Sequence, residues 1–171
     1  MRVIAGAHRG RTLQAPRGAA TRPTSDRVRE ALFSILGDMG GLVVLDLFAG
    51  SGALGLEALS RGAASVDFVE NAASSIKFIQ ANAQSLGAGA EAAIHRVDAI
   101  QFVQKLPAHA YDVAFADPPY DHGFATRLAE LWIQTPFADI FGVEHRLNEH
   151  LPGEGERRKY GSTVITLFRS A

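Results

Sequence analysis

The four residues Asp117-Pro118-Pro119-Tyr120 combine a carboxylate, a rigid turn and an aromatic ring directly after an apolar run, residues 111–116. Such a run predicts a buried strand, so the four residues form a turn at its carboxyl end. Proline fixes φ and has no N–H, which leaves neighbouring carbonyl oxygens available as acceptors. A carboxylate and a carbonyl suit the two hydrogens of an exocyclic amine, and the ring suits a planar base. The plainer interpretation is a stiff strand-to-loop turn.

A second candidate site is the glycine-rich segment 46–55, which follows an apolar run and leads into a helical pattern over residues 54–61. Strand, glycine turn and helix are the setting that a nucleotide-binding motif requires. Gly50 and Gly52 let the backbone approach a ligand closely, and Gly55 lets the helix pack near the strand. The segment predicts a nucleotide or nucleoside site, and its glycine spacing also fits NAD.

Acidic residues stand at the ends of three successive predicted strands: Asp46, Glu70 and Asp98. Glu70 follows Gly50 by about 20 residues, the spacing at which an acid accepts from ribose hydroxyls. Asp98 is placed to accept from an adenine amine. Asp46 would repel a pyrophosphate and attract an ammonium group. The three acids therefore oppose NAD and predict a zwitterionic adenosine with a sulfonium, such as S-adenosylmethionine.

These motifs resemble those of the class I methyltransferases that act on exocyclic amines. More narrowly, the chain is similar to the bacterial 16S ribosomal RNA guanine-N2 methyltransferases. The narrower likeness is carried by residues 3–13, 22–33, 46–62, 117–120 and 160–163. The likeness spans nearly the whole chain and is weakest in residues 121–154, where segment 132–137 is shorter than the family's usual helix and turn.

The resemblance implies an α/β, Rossmann-like class I methyltransferase fold: a mostly parallel seven-stranded sheet, helices on both faces and a small N-terminal hairpin. It implies methyl transfer from S-adenosylmethionine to the N2 amine of a guanine in 16S ribosomal RNA. Asp117 and the Pro118 carbonyl would accept from that amine, Pro119 would stiffen the turn, and Tyr120 would stack on the base. The implied cofactor-binding residues are Asp46, Gly50, Gly52, Gly55, Glu70 and Asp98.

Charge is distributed unevenly along the chain, whose overall net charge is −1. Residues 1–36 carry seven arginines against two acidic residues, whereas residues 37–171 carry a net negative charge. Arginine pairs with phosphates and stacks on bases, so the first segment predicts a basic, RNA-facing arm separate from the acidic strand ends. The predicted RNA contacts are Arg9, Arg11, Arg22 and Arg27. The plainer interpretation of the arm is a solvated chain end.

Hydrophobic periodicity predicts the elements that would position these groups. Residues 2–14 suggest a hairpin, and residues 25–37 an amphipathic helix that Thr24 or Ser25 can cap. Phe33 lies off the apolar stripe of that helix, which places it under the hairpin or facing substrate. The basic run 157–159 is interpreted as a solvent-facing segment.

Alternating strand and helix patterns from residue 42 to residue 144 predict a parallel sheet with helices on both faces. Residues 139–144 give the fifth strand and residues 164–168 a final antiparallel one. Ligands of such sheets bind beyond the carboxyl ends of the strands. We therefore expect the acidic strand ends and the Asp117 turn to share one edge.

The length and composition predict one domain, residues 1–171, with a basic arm at 1–24 and a cofactor-binding and catalytic core at 25–171. No apolar run reaches membrane-spanning length and no signal-peptide pattern is recognised, so a cytoplasmic location is expected. The chain has no cysteine and its histidines lack zinc-like spacing, so no metal is expected. A monomer that binds ribosomal RNA or an assembling small subunit is the expected state.

Three alternatives stay open on these residues. The first alternative is an amino-methyltransferase with another target, such as adenine or cytosine in DNA, guanine in tRNA or a protein glutamine. The second alternative is an NAD-dependent oxidoreductase. The third alternative is a non-catalytic RNA-binding protein that retains a nucleotide-binding fold. Only the likeness over residues 22–33 favours ribosomal RNA, and the sequence does not identify the guanine.

Overall fold

The computed structural model describes residues 1–16 and 23–171, and the side chains of residues 1–16 and 26–171. The helices in this part of the chain are α1 (Pro23–Leu36), α2 (Ala53–Ser60), α3 (Ala73–Ser85), α4 (Ala99–Gln104) and α5 (Phe124–Gln134). The strands are β1 (Val43–Leu47), β2 (Ser65–Glu70), β3 (Ala92–Arg96), β4 (Tyr111–Ala116), β5 (Ala138–Arg146), β6 (Glu156–Tyr160) and β7 (Thr163–Arg169). Strand and helix alternate from β1 to β5, as the periodicity predicts.

The strands form one sheet in the order β3-β2-β1-β4-β5-β7-β6. The neighbours from β3 to β5 are parallel, whereas β7 pairs antiparallel with both β5 and β6. The predicted seven-stranded, mostly parallel sheet is confirmed. The strand order reverses between β1 and β4, because the chain first runs outward to β3 and then returns to the other side of β1. In sheets of this kind the crevice at the reversal is where ligands bind.

Side chains of the central strands alternate between two hydrophobic cores, one on each face of the sheet. On the first face, Val44 and Phe115 pack with residues of α1, α2 and α3. On the second face, Leu45 and Ala114 pack with residues of α4 and α5. Helices therefore cover both faces, as predicted, and the sheet's carboxyl edge is left for a site.

The N-terminal segment forms the predicted hairpin, although its pairing is limited to one antiparallel bridge between Arg2 and Thr12. Backbone hydrogen bonds from Val3 N–H to the Arg11 carbonyl and from Gly10 N–H to the Val3 carbonyl extend the pairing. Val3 and Leu13 are buried in the first core. The hairpin is thus packed against the body of the protein through its apolar side chains.

Of two local predictions, the structure overturns the substrate-facing position of Phe33 and confirms the solvent-facing run 157–159, whose residues are exposed. The ring of Phe33 is buried 5.3 Å from that of Phe115 and 4.8 Å from the Arg61 guanidinium, so a substrate-facing position is wrong. The basic run 157–159 lies within strand β6 at the edge of the sheet. Charged side chains on an edge strand discourage pairing with another chain, which is why this strand lacks an apolar alternation. Helix α1 begins at Pro23, two residues earlier than predicted, so Thr24 and Ser25 lie in its first turn and the capping prediction is wrong.

None of the helices in the described ranges is both long and apolar enough to cross a membrane. Over those same ranges no group of three or more histidine, aspartate or glutamate side chains could hold a metal ion.

Candidate active site

The carboxyl edge of the sheet contains three adjoining cavities. The inner cavity, about 330 Å³, lies on the α1 side and is lined by Asp46, Asp117 and Glu144 among others. The turn cavity, about 320 Å³, lies against Glu70 and residues 117–120. The outer cavity, about 300 Å³, is bordered by Glu70 and Asp98. The acidic strand ends and the Asp117 turn therefore share one edge, as the sequence predicts.

Asp46, at the end of β1, is the deepest acid of this edge and is 1% exposed. Its Oδ2 accepts a hydrogen bond of 2.9 Å from the Gly55 N–H. Burial raises the pKa of Asp46 to about 8; the Gly55 hydrogen bond opposes this shift, and the charges of Asp117 and Glu70 add to it. A cation in the inner cavity would favour the ionised form, so Asp46 is a candidate partner for an ammonium group.

The three glycines of the motif have different surroundings. Gly50 has φ of +59° and nothing within 4 Å of a Cβ placed on it, and it lines the inner and turn cavities. A Cβ on Gly52 would meet Phe68 at 3.3 Å, and one on Gly55 would meet Phe68 at 2.4 Å. Gly50 is thus placed to let a ligand approach the backbone. Gly52 and Gly55 face the core, so Gly55 allows close packing as expected, and ligand contact at Gly52 stays a prediction.

Glu70, at the end of β2, organises the glycine loop. Its Oε1 accepts from the Gly50 N–H at 2.8 Å, and its Oε2 accepts from the Ala72 N–H at 2.9 Å. Each carboxylate oxygen has a further lone pair, so Glu70 can also accept from ribose hydroxyls. Because Glu70 orders Gly50, replacing it by alanine would disturb the loop as well as any ribose contact.

Asp98 stands one residue before α4 and caps that helix. Its Oδ1 accepts from the Gln101 N–H at 3.0 Å, and its side chain also borders the outer cavity beside Val97 and Phe124. A capping aspartate is a sufficient structural reason for this residue. The predicted contact with an adenine amine would use the other carboxylate oxygen.

The Asp117 turn projects directly from β4 into the crevice. Asp117 and Pro119 are exposed and Pro118 is buried. Asp117 lines both the inner and the turn cavities, so the two cavities share this residue. Tyr120 is half-buried, and its hydroxyl donates to Glu144 Oε1 at 3.2 Å.

One face of the Tyr120 ring is already in contact with a cation. The Arg146 guanidinium lies 4.7 Å from the ring centroid and pairs with Asp121 at 3.1 Å. Burial, followed by smaller effects that include the charges of Glu144 and Asp117, raises the pKa of the Tyr120 hydroxyl. A base that stacks on Tyr120 must therefore use the opposite face or displace Arg146.

Two residues of the site were not singled out by the sequence. Phe48 lines all three cavities, has φ of +54°, and packs its ring 5.1 Å from that of Phe124. No sequence signal marks an aromatic residue with positive φ. Glu144 lines the inner cavity with Asp117. It ends the predicted strand 139–144, so the strand-end signal that identified Asp46 could also have identified Glu144.

The predicted RNA-binding arginines do not form one free arm. Arg9 and Arg27 are exposed. The Arg11 guanidinium donates to the Ser85 carbonyl at 2.6 Å, so it already has a partner within the chain. Arg22 lies outside the described residues.

The arm is separate in sequence from the acidic strand ends, but in the structure part of it lies beside them. Met1, Ala15 and Pro16 line the inner cavity. The buried side chain of Asn82 bonds the Gln14 backbone at 2.7 and 2.9 Å and donates to the Ser51 carbonyl in the glycine loop at 2.9 Å. Residues of the hairpin segment therefore form part of the site.

Comparison with known proteins places this arrangement among methyltransferases. Residues 1–169 match the family described as "Conserved hypothetical protein 95". The chain is 41% identical over 181 residues to "Putative rRNA methyltransferase YlbH" of Bacillus subtilis, covering 99% of this chain and 98% of that protein. It is 42% identical over 125 residues to "Ribosomal RNA small subunit methyltransferase D" of Escherichia coli, covering 72% of this chain and 62% of that protein.

Solved structures agree with these relatives. "Putative methyltransferase yhhF from Escherichia coli" superposes with a TM-score of 0.84 at 32% identity, covering 99% of this chain and 97% of that one. The 16S rRNA N2 G1207 methyltransferase of Thermus thermophilus, in complex with AdoMet and guanosine, superposes with a TM-score of 0.70 at 21% identity, over 91% of this chain and 45% of that one. The Rossmann-like methyltransferase fold is thereby confirmed.

Proposed function

The chain belongs to the family described as conserved hypothetical protein 95, and on that basis we propose that it methylates ribosomal RNA. The reaction is transfer of a methyl group from S-adenosylmethionine to the exocyclic N2 amine of a guanine in the small-subunit RNA. The names of two relatives, an rRNA methyltransferase and a small-subunit methyltransferase, support the class of reaction and substrate. They also disfavour the NAD-dependent oxidoreductase.

The position of Asp117 is the observation that carries this proposal. This residue lies directly beyond β4 and is shared by the linings of the inner and turn cavities. Asp46 and Glu70 lie on the neighbouring strands β1 and β2, so a cofactor held by those acids would present its reactive centre toward Asp117. An amine held by Asp117 would then face the cofactor across the crevice where the strand order reverses.

The proposed cofactor contacts follow from the charges of the edge. Glu70 accepts from the ribose hydroxyls, Asp98 accepts from the adenine amine, and Asp46 pairs with the ammonium of the methionine part. Gly50 provides the open backbone over which the cofactor lies. A neutral or cationic ligand suits this acidic edge, whereas a pyrophosphate would be repelled. The AdoMet complex of a protein with the same fold supports the choice of cofactor.

Catalysis in this proposal is a matter of alignment and charge. When bound, the sulfonium supplies an already activated methyl group. The protein has to hold the amine nitrogen in line with that group, a positioning effect worth several kcal/mol, about 7 or more in favourable cases. Asp117 and the Pro118 carbonyl accept from the amine, which localises its lone pair. The same acceptors would stabilise the positive charge that develops on nitrogen as the N–C bond forms and the C–S bond breaks. The neutral thioether would be the leaving group, and the nitrogen would then lose one proton to solvent.

In this proposal the RNA is held by exposed cations of the N-terminal hairpin and of α1. Arg9 and Arg27 supply phosphate contacts from the hairpin and α1, and Arg22 lies on the segment between them. Arg11 contributes only if it leaves the Ser85 carbonyl. The binding energy of such contacts falls steeply with salt because counterions are released.

Replacement of Asp117 tests the proposal. Asp117→Ala should reduce methyl transfer to small-subunit RNA on the order of a hundredfold or more, because a transition-state hydrogen bond is lost. Asp117→Asn keeps the shape, removes the charge and should also be slow. Affinity for S-adenosylmethionine, measured by calorimetry, should stay close to that of the parent protein in both variants.

The matched control is Asp139→Asn. Asp139 lies near the opposite end of the parallel strands, one residue after Ala138, which pairs with β4 residue Tyr111. This variant should transfer methyl groups at the parent rate. If Asp117→Ala is as active as this control, Asp117 is a structural turn residue and the proposed amine site is wrong.

A further inference from the structure

We propose that Glu144 selects guanine by accepting a hydrogen bond from the ring N1–H while Asp117 accepts from the N2 amine. The inference rests on the proposed function and adds a specificity-determining residue to it. It assigns separate tasks to two carboxylates at adjacent strand ends.

Strand register brings Glu144 beside Asp117. In the parallel pair β4 and β5, Ala116 lies opposite Val143, so the next residues along the two strands are Asp117 and Glu144. Both side chains line the inner cavity. Gly142 lies two residues before Glu144 on the same face and also lines this cavity, and a Cβ on it would meet Leu167 at 3.2 Å.

The two carboxylates belong to the substrate side of the crevice. The acids assigned to the cofactor, Asp46, Glu70 and Asp98, lie at β1, β2 and the start of α4. Asp117 follows β4 and Glu144 lies near the carboxyl end of β5, on the other side of the strand-order reversal. A base held between Asp117 and Glu144 would thus extend away from the cofactor with its amine at the junction of the cavities.

Tyr120 fixes the direction of the Glu144 carboxylate. The Tyr120 hydroxyl donates to Glu144 Oε1 at 3.2 Å and lies 3.4 Å from Thr163 Oγ1. This contact connects the catalytic turn directly to the end of β5. Because a carboxylate oxygen has two lone pairs and the group has a second oxygen, Glu144 can accept from a base while it keeps the Tyr120 bond.

Guanine is the base whose edge fits two adjacent acceptors. Its N1–H and N2 amine are neighbouring donors on one edge, whereas the N1 of adenine is an acceptor. An ionised Glu144 would attract the guanine edge and repel adenine N1. Sites that hydrogen-bond a polar group reject the analogue that lacks it by large factors, about 10⁴ or more in favourable cases. The pair Asp117 and Glu144 therefore matches the base as well as the amine.

An RNA that carries 2-aminopurine in place of the methylated guanine tests this assignment. This base keeps the exocyclic amine but has an unprotonated N1, and it can be introduced by ligation once the methylated guanine is mapped. The parent protein should methylate the substituted RNA on the order of a hundredfold more slowly, in kcat/KM, than the guanine RNA.

Glu144→Gln should reverse part of this discrimination. Its amide can donate to the N1 of 2-aminopurine, so we expect the guanine RNA to react more slowly and the difference between the two RNAs to shrink to about tenfold or less. The lost O6 of 2-aminopurine affects both proteins equally and cancels in this comparison. Glu130→Gln, an exposed acid on α5, is the matched control and should keep the parent discrimination.

Cofactor affinity measured on the same Glu144→Gln protein shows whether its site is folded. If that affinity is lost, the Glu144→Asp variant is tested in place of Glu144→Gln. Glu144→Asp should react more slowly than the parent protein with the guanine RNA and should still reject the 2-aminopurine RNA. The inference is overturned if the parent protein and a folded Glu144→Gln variant discriminate equally between the guanine RNA and the 2-aminopurine RNA. It is also overturned if Glu144→Asp methylates the guanine RNA at the parent rate. Failure of the parent protein to methylate guanine at N2 would instead overturn the proposed function.

Discussion

Two buried carboxylates, Glu57 on α2 and Asp46 on β1, have opposite surroundings. Glu57 is 0% exposed and accepts from the Ile4 N–H at 2.8 Å, the Ala5 N–H at 3.1 Å and Arg61 Nε at 2.8 Å. A second arginine, Arg29, lies 3.7 Å away. Asp46 is 1% exposed, and its one hydrogen bond in the described part of the chain comes from the Gly55 N–H.

The difference separates a structural acid from a binding acid. Glu57 is surrounded by donors and fixes the N-terminal hairpin to α2. Asp46 borders a cavity, and burial raises its pKa to about 8. A buried acid with a shifted pKa at a cavity is a candidate for ligand binding, because a ligand can supply the charge that the fold does not. Burial alone distinguishes neither role.

Loss of Glu57 should give the largest effect on stability. Glu57→Gln would leave Arg61 and the buried Arg29 without their shared carboxylate, and breaking a buried ion pair in this way costs about 3–5 kcal/mol. Urea unfolding of the parent protein and the variant measures the loss. Glu130→Gln, at an exposed pair with Arg127, should change stability by less than about 1 kcal/mol. A similarly small change in Glu57→Gln would show that Glu57 contributes little to holding the hairpin.

Asn82 tests whether the hairpin and the acidic edge are independent. Asn82→Ala removes the bonds to Gln14 and Ser51 and should destabilise the protein by about 2 kcal/mol, because buried polar groups lose their partners. Since Ser51 lies in the glycine loop, S-adenosylmethionine should also bind several-fold more weakly to the folded variant. Calorimetry at a temperature well below the unfolding transition measures this. Unchanged cofactor affinity would show that the two regions do not communicate through Asn82.

Replacing Asp46 should change the stability of the protein in the opposite direction from replacing Glu57. The folded chain ionises Asp46 at a pH of about 8 and the unfolded chain near 3.8, so between these values the folded state holds the extra proton and its stability falls as pH rises. Asp46→Asn removes this loss and should stabilise the ligand-free protein at about pH 8 by roughly 1–2 kcal/mol. Unfolding curves across this pH range are the measurement. A variant that loses stability with the same pH dependence as the parent would contradict the pKa shift.

The same substitution should impair cofactor binding by about tenfold, or about 1.4 kcal/mol. In the parent protein the affinity for S-adenosylmethionine should rise with pH up to about 8, because ionised Asp46 is the form that pairs with the ammonium. In Asp46→Asn this contribution disappears, and any remaining pH dependence belongs to the ligand's own amine. Methylthioadenosine, which lacks the amino-acid part, should bind both proteins with equal affinity.

The sequence identified the residues whose signals are local. Asp46, Glu70 and Asp117 each follow an apolar run, and the parallel sheet then brings such strand ends together. Glu144 gave the same signal but lay in the segment where the likeness to a known family was weakest. Phe48 depends on a positive φ, which the residue type does not indicate.

The structural acid was missed for a different reason. Glu57 meets Ile4 and Ala5 only after the chain has folded, because these residues are far apart in sequence. The bridge from Asn82 to Gln14 and Ser51 likewise joins three distant segments. An acidic residue on an apolar helix and an asparagine in another helix carry no sign of such partners. The docked hairpin, and its place in the wall of the inner cavity, therefore required coordinates.

The identity of the methylated nucleoside is the most direct test of the proposed methyl transfer to guanine N2. Small-subunit RNA or particles from a strain that lacks this protein are incubated with it and labelled S-adenosylmethionine, and the RNA is then digested to nucleosides. We expect the parent protein to give one labelled product, N2-methylguanosine, and Asp117→Ala to give almost no labelled product. Label in another nucleoside, or none with either RNA or particles as substrate, would contradict it.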